Sequence, residues 1–128
     1  MEKKNFHKKI LIISSNFYPE ISNNLQDGVF NVLKSENIDF ELKSINGSLE
    51  IPFFLEKYKK QFLGYIIIGC IIKGETDHYE VVKNITFPQI YKVAYENILP
   101  LSSALLTVEN YSQALERSDT KKKNLGGL

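Results

Sequence analysis

The segment of the sequence with the most reactive groups is KGETDH, residues 73–78, which directly follows the apolar run GYIIIGCII. Gly74 lets the backbone approach a ligand closely, and the amides of Glu75 and Thr76 would point at an anion such as phosphate near the following helix start. Because the Glu75 side chain is negative, its backbone must make that contact. An imidazole with the ordinary pKa of about 6.5 can accept and return a proton at neutral pH, which makes His78 a candidate catalytic residue. The alternative is that His78 is an ordinary surface histidine.

Phe17 and the segment NGSLE, residues 46–50, offer groups that could bind an organic ligand. Phe17 follows an apolar run, where an exposed ring suits a flat molecule stacked on it, and such a contact contributes about 0.5–1.5 kcal/mol beyond burial. The turn in NGSLE would present backbone groups of Ser48 and Leu49, while Glu50 could accept hydrogen bonds from a polyol. The alternatives are a Phe17 that covers the sheet edge and a Glu50 that interacts with a helix N-terminus.

Arg117 is a candidate ligand for the same phosphate, because a guanidinium group can donate two parallel hydrogen bonds to one anion. The alternative is a solvated residue at the end of a short helix. The basic run at residues 121–123 belongs to a polar tail, residues 121–128, that is more typical of a solvated segment than of a nucleic-acid contact. Sixteen basic and fifteen acidic residues give a net charge of +1, which favours neither nucleic acid nor an anionic membrane as partner.

Short apolar runs alternate with segments of helical periodicity along the chain. The spacing predicts strands near residues 9–14, 38–45, 63–72 and 100–108, and helices near residues 18–36, 48–61, 77–98 and 111–118. Pro19 and Pro52 fit the first turns of their helices, and Pro88 predicts a kink. The alternation predicts a three-layer αβα sandwich with a four-stranded parallel sheet, order 2-1-3-4, of the flavodoxin-like kind, with helix one on one face and helices two and three on the other. The candidate residues would then meet at the carboxyl edge of the sheet.

The length of 128 residues predicts a single domain, residues 1–128. The longest apolar run, residues 65–72, is far shorter than the roughly 20 residues that a membrane-spanning helix needs. Cys70 is the only cysteine and lies within that run. A buried, unpaired thiol is typical of a reducing compartment, so we expect a cytoplasmic protein that does not contact a membrane.

Four segments carry a resemblance to a known family: SNFYPEISNNLQDG, INGSLEIP, GCIIKGETDHYEVV and LTVENYSQALERSDTKKKN. In order and approximate spacing they resemble the lumazine synthases of riboflavin biosynthesis, and the likeness covers nearly the whole chain. It implies a transferase that condenses two small molecules, 5-amino-6-(D-ribitylamino)uracil and 3,4-dihydroxy-2-butanone 4-phosphate. The products are 6,7-dimethyl-8-ribityllumazine, phosphate and water, and no metal or redox cofactor takes part.

The resemblance also implies roles for individual residues. Phe17 would stack on the pyrimidine, the turn at residues 48–50 would bind the ribityl chain, and His78 would be catalytic. Further substrate contacts would come from Cys70, Ile71, Ile72, Glu75, Thr76 and Ser103, and phosphate contacts from Gly74, Glu75, Thr76 and Arg117. In the family the pocket lies between subunits of a homopentamer and Arg117 would reach it from the neighbouring chain, so the resemblance implies a pentamer-based homo-oligomer.

Several positions depart from the family pattern. Asn16 stands where the family usually has arginine, Ser103 stands where a neighbour commonly donates an aromatic, and Leu125 stands at a position that is usually basic. The family's long C-terminal helix is also apparently missing after residues 126–127, which predicts uncovered apolar area on strands three and four. These departures leave open a catalytically weakened, assembly-competent descendant. A flavodoxin- or receiver-like binding module is disfavoured because IISSNF, residues 12–17, lacks an acidic cluster and a phosphate-binding loop.

Overall fold

The computed structural model describes residues 8–74 and 78–119, with the side chains of His78 and Val82 excepted. Four strands and five α-helices alternate along this part of the chain: β1 (Ile10–Ser15), α1 (Pro19–Ser35), β2 (Phe40–Ile45), α2 (Ile51–Lys57), β3 (Gly64–Ile72), α3 (His78–Val81), α4 (Phe87–Asn97), β4 (Leu101–Val108) and α5 (Tyr111–Ser118). A 3₁₀ turn, Ser48–Glu50, precedes α2. A π-helical turn, Val82–Thr86, joins α3 to α4. Within the described residues no helix is both long and apolar enough to cross a membrane.

The four strands form one parallel sheet in the order β2-β1-β3-β4, as the sequence predicts. The central strand β3 is buried on both faces, which explains its continuous apolar sequence. Tyr65 and Ile67 face the layer of α2 and α4, whereas Ile68, Cys70 and Ile72 face the layer of α1 and α5. The predicted three-layer sandwich, with α1 opposite α2 and α4, is therefore confirmed.

The prediction that apolar area on strands three and four is left uncovered is wrong for the side chains that point toward the layer of α1. Ile68, Ala104 and Leu106 are all buried there. The reason is that α5 packs beside α1 on this face, with Ala114 in the same cluster of buried residues. Two residues on the same face of the sheet are less well covered: Ile66 is half-buried, and Ser102, which pairs with it in the sheet, is exposed.

The predicted kinked helix at residues 77–98 consists of three parts, α3, the π-helical turn and α4. The break lies just before Pro88, which occupies the first turn of α4. In an unbroken α-helix the Pro88 ring would clash with the carbonyl of Asn84, and Pro88 has no N–H group to donate to that carbonyl. The helix therefore widens at this point. As a result the apolar side chains of Val81 and Ile85, which helical spacing would direct to the core, are exposed.

Helix α5 begins where the sequence predicts, because Asn110 caps it. The Asn110 Oδ1 atom accepts a hydrogen bond from the Gln113 amide at 2.8 Å, and the Gln113 side chain accepts one from the Glu109 amide at 2.8 Å. Two hydrogen bonds then join α5 to α1. Tyr111 Oη donates to Glu20 Oε1 at 3.0 Å, and Asn24 Nδ2 donates to Ser118 Oγ at 3.3 Å.

Candidate active site

A cleft of about 290 Å³ lies at the carboxyl ends of β1, β2 and β3. Parallel sheets of this kind place their ligands at that edge, where the strand order reverses direction between β1 and β3. Three short segments line the cleft: Phe17 and Tyr18 after β1, residues 46–50 after β2, and residues 70–72 at the end of β3. The lining is mainly apolar with a few polar groups, as is common for small-molecule sites.

The segment after β1 presents Phe17 to the cleft. The Asn16 amide donates to the Ile45 carbonyl at 2.9 Å, which extends the pairing of β1 and β2 by one residue beyond the strands. Phe17 then leaves the sheet with 52% of its surface exposed. Its ring meets the Tyr18 ring edge-to-face with centroids 4.9 Å apart, and Tyr18 in turn lies 6.1 Å from Tyr111. The Phe17 ring is therefore held by an aromatic neighbour while one side stays open to a ligand.

The turn after β2 is closed by Gly47 and Glu50. The Glu50 amide donates to the Gly47 carbonyl at 3.2 Å, and the Gly47 amide donates to Glu50 Oε1 at 3.2 Å. Glu50 is exposed, and no partner for its Oε2 atom is found in the described part of the chain. The carboxylate thus stabilises the turn with one oxygen and offers the other to the cleft, so the two interpretations of Glu50 are compatible.

Buried serines connect these two segments to the protein interior. Ser48 Oγ lies 3.3 Å from Ser15 Oγ, and the Ser15 carbonyl accepts a hydrogen bond of 2.6 Å from Ser22 Oγ on α1. Beside them, Gln26 Nε2 donates to Ser14 Oγ at 2.8 Å. All five side chains are buried, so water does not compete for these hydrogen bonds. The hydrogen bonds therefore fix the end of β1, the 3₁₀ turn and α1 relative to one another.

The end of β3 forms the floor of the cleft. Gly69 lies beneath the 3₁₀ turn, and a β-carbon there would stand only 3.0 Å from Ser48 Oγ and 2.7 Å from Leu105 Cδ2. The missing side chain therefore allows the 3₁₀ turn to pack onto the strand. The cleft is completed by Cys70, Ile71 and Ile72, which are mostly buried. Burial raises the pKa of the Cys70 thiol to about 12, so Cys70 contributes a neutral apolar surface and not a nucleophile.

The polar segment after β3 is described only in part. The Lys73 amide donates to the Val108 carbonyl at 2.9 Å, so the pairing of β3 with β4 continues one residue past the strands. Gly74 has a φ of +83°, a conformation that favours glycine and turns the chain away from the sheet. Glu75 and Thr76 lie outside the described residues. His78 is the first residue of α3 and is described by its backbone alone.

Three of the described residues that were predicted for the site, Gly74, Ser103 and Arg117, do not line the cleft of their own chain. Ser103 pairs with Ile67, three residues before the start of the cleft lining at Cys70, which is about 10 Å at the rise of a strand. Arg117 is half-buried in the last turn of α5, a helix that contributes no residue to the cleft lining. The structure therefore brings together Phe17, Ser48, Leu49, Glu50, Cys70, Ile71 and Ile72, and leaves Gly74, Ser103 and Arg117 outside the cleft lining.

Three residues that line the cleft, Tyr18, Asn46 and Gly47, were not among the predicted site residues. Tyr18 and Gly47 are immediate neighbours of a predicted site residue, and Asn46 lies two residues before Ser48 in the same turn. The signal that could have identified them is the position of these segments at the carboxyl edge of the sheet. A whole segment lines a cleft there, and not only the residue with the most reactive side chain.

The sheet order and the position of the cleft define a doubly wound α/β protein with a ligand site at the carboxyl ends of its strands. A sequence model of the 6,7-dimethyl-8-ribityllumazine synthase family matches residues 7–127. A protein of that name from Bartonella tribocorum is 36% identical over 130 residues, covering 98% of this chain and 86% of its own. Another from Sphingopyxis alaskensis is 36% identical over 120 residues, covering 92% and 84%.

The chain belongs to the 6,7-dimethyl-8-ribityllumazine synthase family. Its function is accordingly that of a transferase of riboflavin biosynthesis, and the resemblance seen in the four sequence segments is confirmed. The alternative of a catalytically weakened descendant is not supported by these similarities.

Proposed function

We propose that the cleft at the carboxyl ends of β1, β2 and β3 condenses 5-amino-6-(D-ribitylamino)uracil with 3,4-dihydroxy-2-butanone 4-phosphate. The observation that carries this proposal is the meeting of an exposed aromatic ring, a turn with a free carboxylate oxygen and an apolar strand end around one cavity. Phe17 stacks on the pyrimidine, Glu50 accepts hydrogen bonds from the ribityl hydroxyls, and residues 70–72 cover the flat ring from below.

The butanone phosphate binds next to the turn that follows β3. Its phosphate lies against Gly74 and the amides of Glu75 and Thr76, and His78 moves protons while the imine forms and the phosphate departs. Support comes from the positive φ of Gly74, which opens the backbone at this point, and from the position of His78 at the first residue of the following helix. Much of the acceleration needs only that both substrates are held with their reactive groups adjacent.

The site is completed by a second copy of the chain in a pentamer-based homo-oligomer. Arg117 and Ser103 lie apart from the cleft of their own chain, and a neighbouring subunit would supply them to it. Arg117 then donates a bidentate pair of hydrogen bonds to the phosphate. We further propose that the enzyme works in the cytoplasm, since its single cysteine is buried and unpaired.

The test is turnover by the purified protein with both substrates, followed by the absorbance of the lumazine product. His78→Ala should lower kcat by about 10²-fold or more, which is the usual contribution of a positioned acid–base group. The matched control is His7→Ala, which removes the only other histidine. A wild-type protein without turnover would contradict the proposal, and a fully active His78→Ala variant would contradict the role of His78.

The stacking role of Phe17 is tested separately. Phe17→Ala should raise the KM for the pyrimidine substrate about 2- to 10-fold, because a ring contact of this kind is worth about 0.5–1.5 kcal/mol. Phe53 is the matched control, since it is an exposed phenylalanine on α2 that does not line the cleft. Equal KM values for Phe17→Ala and Phe53→Ala would exclude a stacking role.

The shared site is tested by complementation. His78→Ala and Arg117→Ala should each be poorly active, yet subunits of the two variants that are co-expressed should regain part of the activity. The reason is that some interfaces then combine an intact His78 from one chain with an intact Arg117 from the next. Arg117→Lys should remain weak, because lysine keeps the charge but not the two-pronged geometry. No regain in the mixture would place both residues in one subunit's site.

A further inference from the structure

The π-helical turn at Val82–Thr86 is a structural feature that the proposed roles leave unexplained. Turns of this type are rare, and where they interrupt an α-helix they frequently accompany a functional site. This one lies directly between α3, which begins at His78, and α4, which is anchored in the core by Ile90, Val93 and Ala94. The π-helical turn therefore determines how α3 is oriented relative to the anchored helix.

Packing places this turn beside the cleft. The π-helical turn lies against the 3₁₀ turn Ser48–Glu50, which lines the cleft through all three of its residues. Its last residue, Thr86, is 4% exposed, and no hydrogen-bond partner of its hydroxyl is found among the described residues. Burial of Thr86 fixes the carboxyl end of the π-helical turn in the interior of the protein.

Pro88 accounts for the change of register. It lies in the first turn of α4, where it cannot donate a hydrogen bond to the Asn84 carbonyl and would clash with it in an unbroken α-helix. The wider turn avoids that clash by inserting one extra residue. With α4 held in the core, a change from π- to α-helix at the same chain length would rotate α3 by about 100° and shift it by about 1.5 Å along the axis.

We infer that Pro88 is a positioning residue, which holds the π-helical turn open and thereby fixes the orientation of α3, which begins at His78, relative to the cleft wall formed by Ser48–Glu50. The inference rests on the proposed function for the role of His78. Pro88 touches neither substrate in this scheme and acts only through the helix that follows the anion-binding segment. A second contact keeps α3 and the turn together, since Asn84 Nδ2 donates to Glu80 Oε2 at 3.2 Å.

The first test compares three variants. Pro88→Ala permits the α-helical hydrogen bond and should lower kcat about 10- to 100-fold, with KM changed less than 3-fold, because a misplaced acid–base group affects the chemical step. Pro100→Ala is the matched control, since Pro100 is exposed at the start of β4 and away from the cleft. Pro88→Ala combined with deletion of the exposed Ile85 makes a continuous α-helix that keeps α3 in its original orientation. That combined variant should recover most of the activity.

A second measurement does not depend on turnover. The titration of the His78 ring, followed by NMR and assigned with His7→Ala, should change in Pro88→Ala, stay unchanged in Pro100→Ala, and return in the combined variant. Identical kcat values and titrations for Pro88→Ala and the wild type would overturn the inference. An inactive wild type would count against the proposed function, while the titrations would still decide the orientation of His78. Should Pro88→Ala fail to fold, a 10-fold loss of kcat or a changed titration in the combined variant would overturn the inference.

Discussion

The wall of the cleft that follows β1 and β2 is tied to the interior by side-chain hydrogen bonds, whereas the wall that follows β3 is shaped by backbone conformation. On the first wall, Ser15, Ser22 and Ser48 are joined below the surface. On the second, Gly74 has a positive φ and the helix after His78 contains a π-helical turn. The difference teaches that the half proposed to bind the ring and the polyol is preorganised by buried hydrogen bonds, while the half proposed for phosphate and proton transfer depends on helical register.

The largest effect is expected at Gly69 of β3, on which the 3₁₀ turn of the first wall packs. Gly69→Ala would place a β-carbon against Ser48 Oγ and Leu105, so the 3₁₀ turn must move. Overpacking of this kind costs about 1–3 kcal/mol of folding free energy, which should appear as a lower denaturation midpoint and a weaker affinity for the pyrimidine substrate. The control is Gly47→Ala, where a β-carbon meets nothing within 4 Å and φ is −146°. Equal stability of the two variants would show that the first wall tolerates movement.

On the second wall the corresponding change is Gly74→Ala. No atom lies within 4 Å of a β-carbon there, so the cost comes only from the φ of +83° and should be about 1 kcal/mol. Because the strain is local, we expect a higher KM for the butanone phosphate, with the affinity for the pyrimidine unchanged. Gly74→Asn should recover part of the loss, since asparagine tolerates positive φ better than alanine. A pyrimidine affinity reduced as strongly as in Gly69→Ala would show that the two walls are not independent.

The contribution of the buried serines is measured by two similar hydrogen bonds in α1. Ser22 Oγ donates to the Ser15 carbonyl in the interior, whereas Ser35 Oγ donates to the Val32 carbonyl at the surface at 2.8 Å. Ser22→Ala should lower the free energy of unfolding by about 1 kcal/mol, because it leaves a buried carbonyl with one bond fewer. Ser35→Ala should change it by less than about 0.5 kcal/mol. Chemical denaturation of both variants checks this, and equal effects would refute the preorganised first wall.

The effect that is smallest at neutral pH concerns Cys70 at the floor between the walls, because it develops only in alkaline solution. Its pKa rises from the ordinary 9.0 to about 12 on burial, so the folded protein retains a proton that the unfolded chain loses. The contribution of the Cys70 thiol to the free energy of unfolding is therefore fully present below pH 9, and it is lost as the pH rises toward 12. The decline should be shallower in Cys70→Ala, as measured by urea denaturation at several pH values. Parallel curves for the two proteins would show that the thiol is not buried.

Much of the architecture was predictable because its signals are local and repeated. The β-branched apolar runs predicted the strands, and helical spacing predicted α5 at residues 111–118. Pro88 predicted a kink but not its form, since the choice of a π-helical turn depends on how α3 and α4 both pack against their neighbours. The coverage of Ala104 was misjudged because the position of α5 beside α1 is a tertiary contact that periodicity does not contain.

For the site, the sequence predicted which residues line one cavity better than it predicted their chemistry. Phe17 and Glu50 meet because strand order and parallel pairing bring the segments after β1 and β2 to one edge. The roles of Glu75, Thr76 and His78 remain predictions, as these side chains lie outside the described residues. The hydrogen bond from the Gly47 amide to Glu50 was not visible in the sequence, because it arises from the conformation of the turn.

The hydrogen bond from the Lys73 amide to the Val108 carbonyl has a further consequence. It is the last rung of the β3–β4 ladder, and it holds together the points where the chain departs toward Gly74 and toward α5 with Arg117. Loss of this hydrogen bond would loosen both segments at once, so the two elements that we propose to contact phosphate are held in one subunit by the same backbone hydrogen bond. The rate of hydrogen–deuterium exchange at the Lys73 amide therefore reports on the order of both segments.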